Sequence, residues 1–186
     1  MADGRTLRRE QNREAVLDAM VALFQQGSYQ PTTDEIAARA GISPRSLFRY
    51  FTDVEDLSRA VIDRELLVSQ PLLEIDVDAQ APLDERVRRL VANRVRLFET
   101  IAPTARAARV AATRNPTIAA QLGERRAHLR RQVRRVLAPP AGTLPALDAL
   151  CSFETYELLR HDQGLSKPKA TQALVAGVHA LLAGAA

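Results

Sequence analysis

Between Thr32 and Phe51 the chain reads Thr-Thr-Asp-Glu-Ile-Ala-Ala-Arg-Ala-Gly-Ile-Ser-Pro-Arg-Ser-Leu-Phe-Arg-Tyr-Phe. The stretch is punctuated as two short helices around a tight turn. Thr32 stands where an N-cap belongs, just after Pro31, and Glu35 three residues on completes the spacing of a reciprocal capping box. The spacing predicts a helix over 33–40. Gly41 then supplies a backbone conformation that most side chains resist, and Ser43-Pro44 restarts a helix with a capping hydroxyl and a proline at its first position. Ile36, Ala37, Ala40, Ile42 and Leu47 make one apolar side, with the alanines small enough for the two helices to cross closely. These residues predict a helix-turn-helix.

Pro44, Arg45, Ser46, Arg49 and Tyr50 are left outward on the second helix. A seven-residue helix is only about 10 Å long, so its first turn can enter a major groove while its neighbours touch the backbone. Arginine serves both tasks, because its planar fork bonds guanine edges bidentately and also bridges phosphate oxygens. Bulk charge gives no such support. The chain carries a formal +4, yet residues 1–70 hold nine basic against eleven acidic side chains. The positive charge that matters is local: Arg5, Arg8, Arg9 and Arg13 at the start, then Arg39, Arg45 and Arg49. Arg5 to Arg9 read either as a flexible basic arm that follows phosphates or as a solvated tail.

The segment from Arg13 to Leu57 resembles the DNA-binding end of the TetR family of transcriptional regulators. The resemblance rests on Phe24-Gln25-Gln26-Gly27, Thr33, Glu35-Ile36-Ala37, Ala40-Gly41-Ile42-Ser43, Leu47-Phe48-Arg49-Tyr50-Phe51 and Glu55-Asp56-Leu57. It covers about a quarter of the chain and joins three helices and both turns in fixed spacing. It implies a surface of Thr33, Ser43, Pro44, Arg45, Ser46, Arg49 and Tyr50 that meets a double-stranded DNA operator, with Arg45 reading bases and Thr33, Arg49 and Tyr50 holding phosphates. Two positions depart from the family pattern. Phe48 replaces a usual tyrosine and Val54 a usual lysine, both commonly phosphate contacts. Their loss implies either fewer backbone contacts or compensation by Arg45, Arg49, Tyr50 and Thr33.

Elsewhere the pattern is helical throughout. The sequence is 46% hydrophobic without tryptophan, and long alternating strand patterns are absent. Helices are expected over about 9–26, from Val54 with Thr52 and Glu55 as a capping box, over 83–101, from Pro103 to about 114, over 117–138, 144–160 and 167–182, with a loop over 69–82. The helix over 117–138 carries six arginines opposite an apolar stripe, a face that reads as solvated surface or as a site for an acidic ligand, nucleic acid or membrane. No apolar run approaches the ~20 residues that span a bilayer, and Met1 to Glu10 lacks a secretory apolar segment. The single Cys151 fits a reducing compartment. A cytoplasmic protein without membrane contact is expected.

The expected fold is therefore all-α with about nine helices. An N-terminal three-helix DNA-binding unit with the helix-turn-helix occupies 1–53. A connector helix and a C-terminal helical bundle for ligand binding and dimerisation occupy 54–186. The last helix is apolar on most sides, which calls for burial, and the resemblance implies a homodimer through about 144–182. It also implies a core that binds an unidentified small-molecule effector, for which Arg94, Phe98, Arg109, Phe153 and Tyr156 are the candidates on otherwise apolar helices. No catalytic constellation stands out: His128, His161 and His179 are far apart, no phosphate loop or nucleophile elbow is present, and no metal or cofactor is implied. The reading is a ligand-responsive repressor, the alternative a helical small-molecule binder of the same fold with weak or lost DNA binding.

Overall fold

The computed structural model describes residues 4–78 and 80–184. Among them the chain forms α1 (Gly4–Gln25), α2 (Thr33–Ala40), α3 (Pro44–Leu47), α4 (Val54–Ser69), α5 (Leu83–Ala112), α6 (Pro116–Leu137), α7 (Leu144–Leu150), α8 (Phe153–Glu157) and α9 (Lys167–Ala183), with no strand. A 3₁₀ turn (Gln70–Leu73) follows α4 and a π turn (Leu158–Asp162) follows α8. None of these helices is long and apolar enough to cross a membrane.

The chain divides into two compact units. The first holds the residues up to Val68 together with Ile101–Leu122. Its core joins Val16, Leu17, Met20 and Phe24 of α1 to Ile36 of α2, Leu47 of α3, and Leu57 and Val61 of α4, closed by Phe51 and Ala107. Each such leucine, isoleucine or phenylalanine is worth roughly 1.5–3 kcal/mol of burial, enough to hold a four-residue helix that has little stability of its own. Arg64 of α4 donates to Glu14 at 3.2 Å and Asp18 at 2.8 Å, neighbours one turn apart on α1.

The second unit holds Ser69–Thr100 and Gly123–Ala186. Phe98, Phe153 and Tyr156 form its aromatic centre, with ring centroids 5.6 Å apart for Phe98 and Phe153 and 5.8 Å apart for Phe98 and Tyr156. The segment after α4 has few backbone partners of its own, and side chains supply them. Asn93 donates to the carbonyls of Leu72 and Glu74, Gln132 to that of Leu73, Arg135 to that of Ile75 and Arg89 to that of Asp76.

Several expected boundaries move. α1 starts at Gly4, so Arg8 and Arg9 lie exposed on its first turns and form no free arm; the Arg5 side chain lies outside the described residues. α3 ends at Leu47 because the next amides bond three residues back, Arg49 to Ser46 and Tyr50 to Leu47, which tightens the last turn. The cap of α4 slips by one residue: Asp53 accepts from the Asp56 amide while Asp56 accepts from Thr52. The helices expected on either side of Pro103 are one helix, α5, with the proline inside; losing one backbone bond costs less than abandoning two buried turns. The single helix expected over 144–160 breaks at Cys151, where Ser152 turns extended and its hydroxyl accepts from the Thr155 amide.

Candidate functional site

The helix-turn-helix is built as its punctuation requires. Thr32 accepts from the Glu35 amide at 3.3 Å, and Glu35 returns the bond by accepting from the Thr32 amide at 2.7 Å. Hydrogen bonds from the Thr32 backbone and hydroxyl hold the Glu35 carboxyl below its ordinary range. Gly41 takes φ 69°, and its amide reaches back to the carbonyls of Ala37 and Ala38. Ser43 then caps α3, its hydroxyl accepting from the Ser46 amide at 3.2 Å and lying 2.9 Å from the Ser46 hydroxyl.

On this frame Ser43, Pro44, Arg45 and Arg49 are exposed, while Thr33, Ser46 and Tyr50 are half-buried. Arg45 and Arg49 make no hydrogen bond or ion pair among the described residues. Their guanidinium groups are free to move to an anion. Tyr50 is better fixed, because its ring packs on the core of the first unit and its hydroxyl oxygen accepts from Asn12 of α1 at 3.0 Å. With that oxygen held as an acceptor, the phenolic proton is left to donate outward. Arg13 lies over the ring of Phe51, 5.1 Å from its centroid. Phe48 is half exposed, a large apolar ring beside the two free arginines. Asn12 was not legible as part of this surface from spacing alone, since its contact crosses between helices, whereas Arg13 stands among the local charges of the sequence but its contact with Phe51 was not legible there.

The candidates for a ligand core separate. Arg94, Phe98, Phe153 and Tyr156 lie in the second unit, all buried, the three rings against one another. Arg109 belongs to the first unit, half-buried, with Nη1 donating to the Ala105 carbonyl at 3.0 Å. Arg94 is 1% exposed and forms no ion pair among the described residues. It donates to Gln132 Oε1 at 2.7 Å and to the Leu129 carbonyl at 2.9 Å, while its Nε has no partner among the described residues. Burial pulls this guanidinium down to about 10. Because Arg94 can only donate, it fixes the Gln132 amide with its oxygen inward and its nitrogen toward Leu73 and His128. His128 Nε2, 3.0 Å from that nitrogen, is thereby an acceptor, and the ring is neutral. Burial, and after it Arg131, Arg94, Arg125 and Arg135, keep the His128 imidazole below its usual range, in agreement with that tautomer.

Fold and surface together define a helix-turn-helix protein: a capped reading motif in one unit, and a second helical unit with a buried arginine and an aromatic centre. Residues 16–61 match the model of bacterial regulatory proteins of the tetR family. A tetR-family transcriptional regulator from Streptomyces coelicolor superposes with a TM-score of 0.68 at 25% identity, covering 92% of this chain and 82% of that one. A transcriptional regulator from Rhodococcus sp. Rha1 gives 0.71 at 18% identity, covering 95% and 97%. The multidrug binding protein EbrR, complexed with imidazole, gives 0.53 at 16% identity, covering 89% and 93%. No curated protein matches the chain. Residues 16–61 thus carry the DNA-binding module of the tetR family of bacterial regulatory proteins, and the chain as a whole shares the fold of transcriptional regulators of that family.

Proposed function

We propose that this protein is a ligand-responsive repressor that binds a pseudo-palindromic operator as a homodimer and leaves it when a small molecule binds. The observation that carries the reading is the pair of exposed arginines, Arg45 and Arg49, without a partner among the described residues on a capped helix-turn-helix. Arg45 reads base edges. Thr33, Arg49 and Tyr50 hold phosphates, with Ser43, Pro44 and Ser46 completing the contact surface. Functionally, 1–53 is the DNA-binding domain, and 54–186 supplies the connector helix, the effector site and the dimer contact.

Dimerisation through about 144–182 is supported by α9, where Ala170, Leu174, Val178 and Leu182 are buried within the protomer but Ala173, Ala176 and Ala180 are exposed. Such a stripe of small residues permits close approach of a second helix. Twofold symmetry would set two reading helices about 34 Å apart, one turn of DNA. A kindred fold in a multidrug binding protein supports a small-molecule effector, and Arg94, Phe98, Phe153 and Tyr156 of the second unit are its proposed contacts, Arg109 lying in the other unit. A differential affinity of a few kcal/mol between two conformations suffices to release DNA. The protein acts in the cytoplasm.

The test is a gel shift of purified protein against DNA flanking its own coding region, at two salt concentrations with excess non-specific competitor. A competitor-resistant, salt-sensitive shift is expected. No shift at low salt would favour the second reading, a small-molecule binder of the same fold, for which the net acidic first 70 residues and the missing hydroxyl at Phe48 speak.

A further inference from the structure

The arginines of α6 divide into two sets. Arg126 is paired with Glu154 at 2.6 Å and Arg130 with Asp148 at 2.8 Å, both exposed links to the helices that follow. Arg125 and Arg131 make no hydrogen bond or ion pair among the described residues, and Arg135 donates only to the Ile75 carbonyl at 3.3 Å. With His128 these three arginines line a cleft of about 1010 Å³, entirely within the second unit, whose other wall is the segment from Gln70 to Asp76. The spacing of 125, 128, 131 and 135 puts them on one side of the helix, turned from the paired set. The cleft does not include the aromatic centre proposed above for the effector.

A partly buried guanidinium without a partner costs free energy that an ion pair would offset. Burial pulls the Arg125 guanidinium below its ordinary value, and the uncompensated Arg94 lies behind the wall, donating to Gln132, itself a lining residue. In the wall, Gln132 is bonded at once to Arg94, Leu73 and His128. Leu73 and Ile75 add apolar surface on the facing side. Glu74 and Asp76 also line the cleft and form no ion pair there. These two carboxylates disfavour a long polyanion laid across the opening, such as duplex DNA or a lipid surface, while a compact anion held on the α6 side avoids them.

We infer that the cleft between α6 and the segment 70–76 binds a small, multiply charged organic anion, a polycarboxylate or a phosphate ester, through Arg125, Arg131 and Arg135. The site stands independently of operator binding, so its test uses the whole protein without DNA. Citrate and inorganic pyrophosphate, one probe for each headgroup chemistry, are titrated by calorimetry at matched ionic strength. Saturable one-to-one binding of at least one probe is expected. Arg125→Gln with Arg131→Gln weakens it at least about tenfold, with an unchanged melting transition showing that the variant is folded. Arg126→Gln with Arg130→Gln removes the same charge from the paired set and changes affinity less than about twofold. The inference is overturned if neither probe binds, if both double variants lose affinity equally, or if non-operator duplex DNA displaces the probe.

Discussion

Arg45 and Arg49 of the first unit stand exposed with no partner among the described residues, whereas Arg94 of the second is 1% exposed and donates to neutral groups. The free energies behind the two arrangements differ. An exposed guanidinium keeps its hydration and loses little until phosphates replace counterions, so it stabilises a complex and not the fold. A sealed one must recover its lost hydration inside. Arg94 recovers most of it from Gln132 and Leu129, leaves Nε unsatisfied, and at about 10 is still charged at neutral pH. The first unit thus leaves these two guanidiniums in solvent, and the second carries part of its charge as structure.

Substitution separates the two roles. Arg94→Ala leaves a cavity and strips Gln132 Oε1 of its donor, and a loss of about 3 kcal/mol in urea unfolding is expected. Arg94→Met, which keeps most of the volume but also strips Gln132 Oε1 of its donor, should cost about 1–2 kcal/mol, less than Ala by the cavity alone. If Met cost as much as Ala, the hydrogen bonds of Arg94 and not its packing would dominate. Arg45→Ala should leave unfolding unchanged to within about 0.5 kcal/mol but remove about 2 kcal/mol of discrimination between operator and mismatched sites. Tyr50→Phe should weaken binding to every sequence alike, by about 1 kcal/mol. Competition binding against a panel of single-base variants measures both. Equal effects of the two changes on all sequences would contradict the assignment of Arg45 to bases.

The first unit was readable because its signals are local. Thr32, Glu35, Gly41, Ser43 and Pro44 each act within four residues, and each appears in the structure in the expected role. Gly41 also gives a prediction of about the same size, read in stability. A methyl there meets no atom within 4 Å, so Gly41→Ala should cost only the left-handed backbone term, about 1 kcal/mol. The second unit was less readable because its signals are relational. Pro103 looks like a helix start in sequence, yet α5 runs through it; Cys151 looks like mid-helix, yet the chain breaks there. The split of the α6 arginines depends on Glu154 and Asp148 arriving from other helices, and no spacing rule along α6 announces that. Arg94, Phe98, Phe153 and Tyr156 were legible as odd or aromatic residues on apolar helices, but their mutual burial was not.

The smallest expected effect probes how the second unit treats negative charge. Glu99 accepts from Tyr156 at 2.5 Å and from Arg160 at 3.3 Å. Burial raises the Glu99 carboxyl, but the bonds from Tyr156 and Arg160 outweigh it and leave the group below its ordinary value. A lowered carboxylate contributes stability that is present above its unfolded pKa and is lost as pH falls through the folded one. Tyr156 works in the other direction: burial first, then the bond to Glu99, pushes its phenol from 10 up to about 12, so its contribution is present below pH 10 and is lost as pH rises towards 12. Glu99→Gln keeps an oxygen for Tyr156 and removes the charge. Its cost, discounted for the partial exposure of the carboxylate, should be about 0.5–1 kcal/mol at pH 7 and should shrink as pH falls through the lowered pKa of Glu99. Tyr156→Phe should instead remove the alkaline limb between pH 10 and 12. Urea unfolding across pH measures both, and a Glu99→Gln deficit that persisted unchanged in acid would mean that the side chain acts through packing and not through its charge.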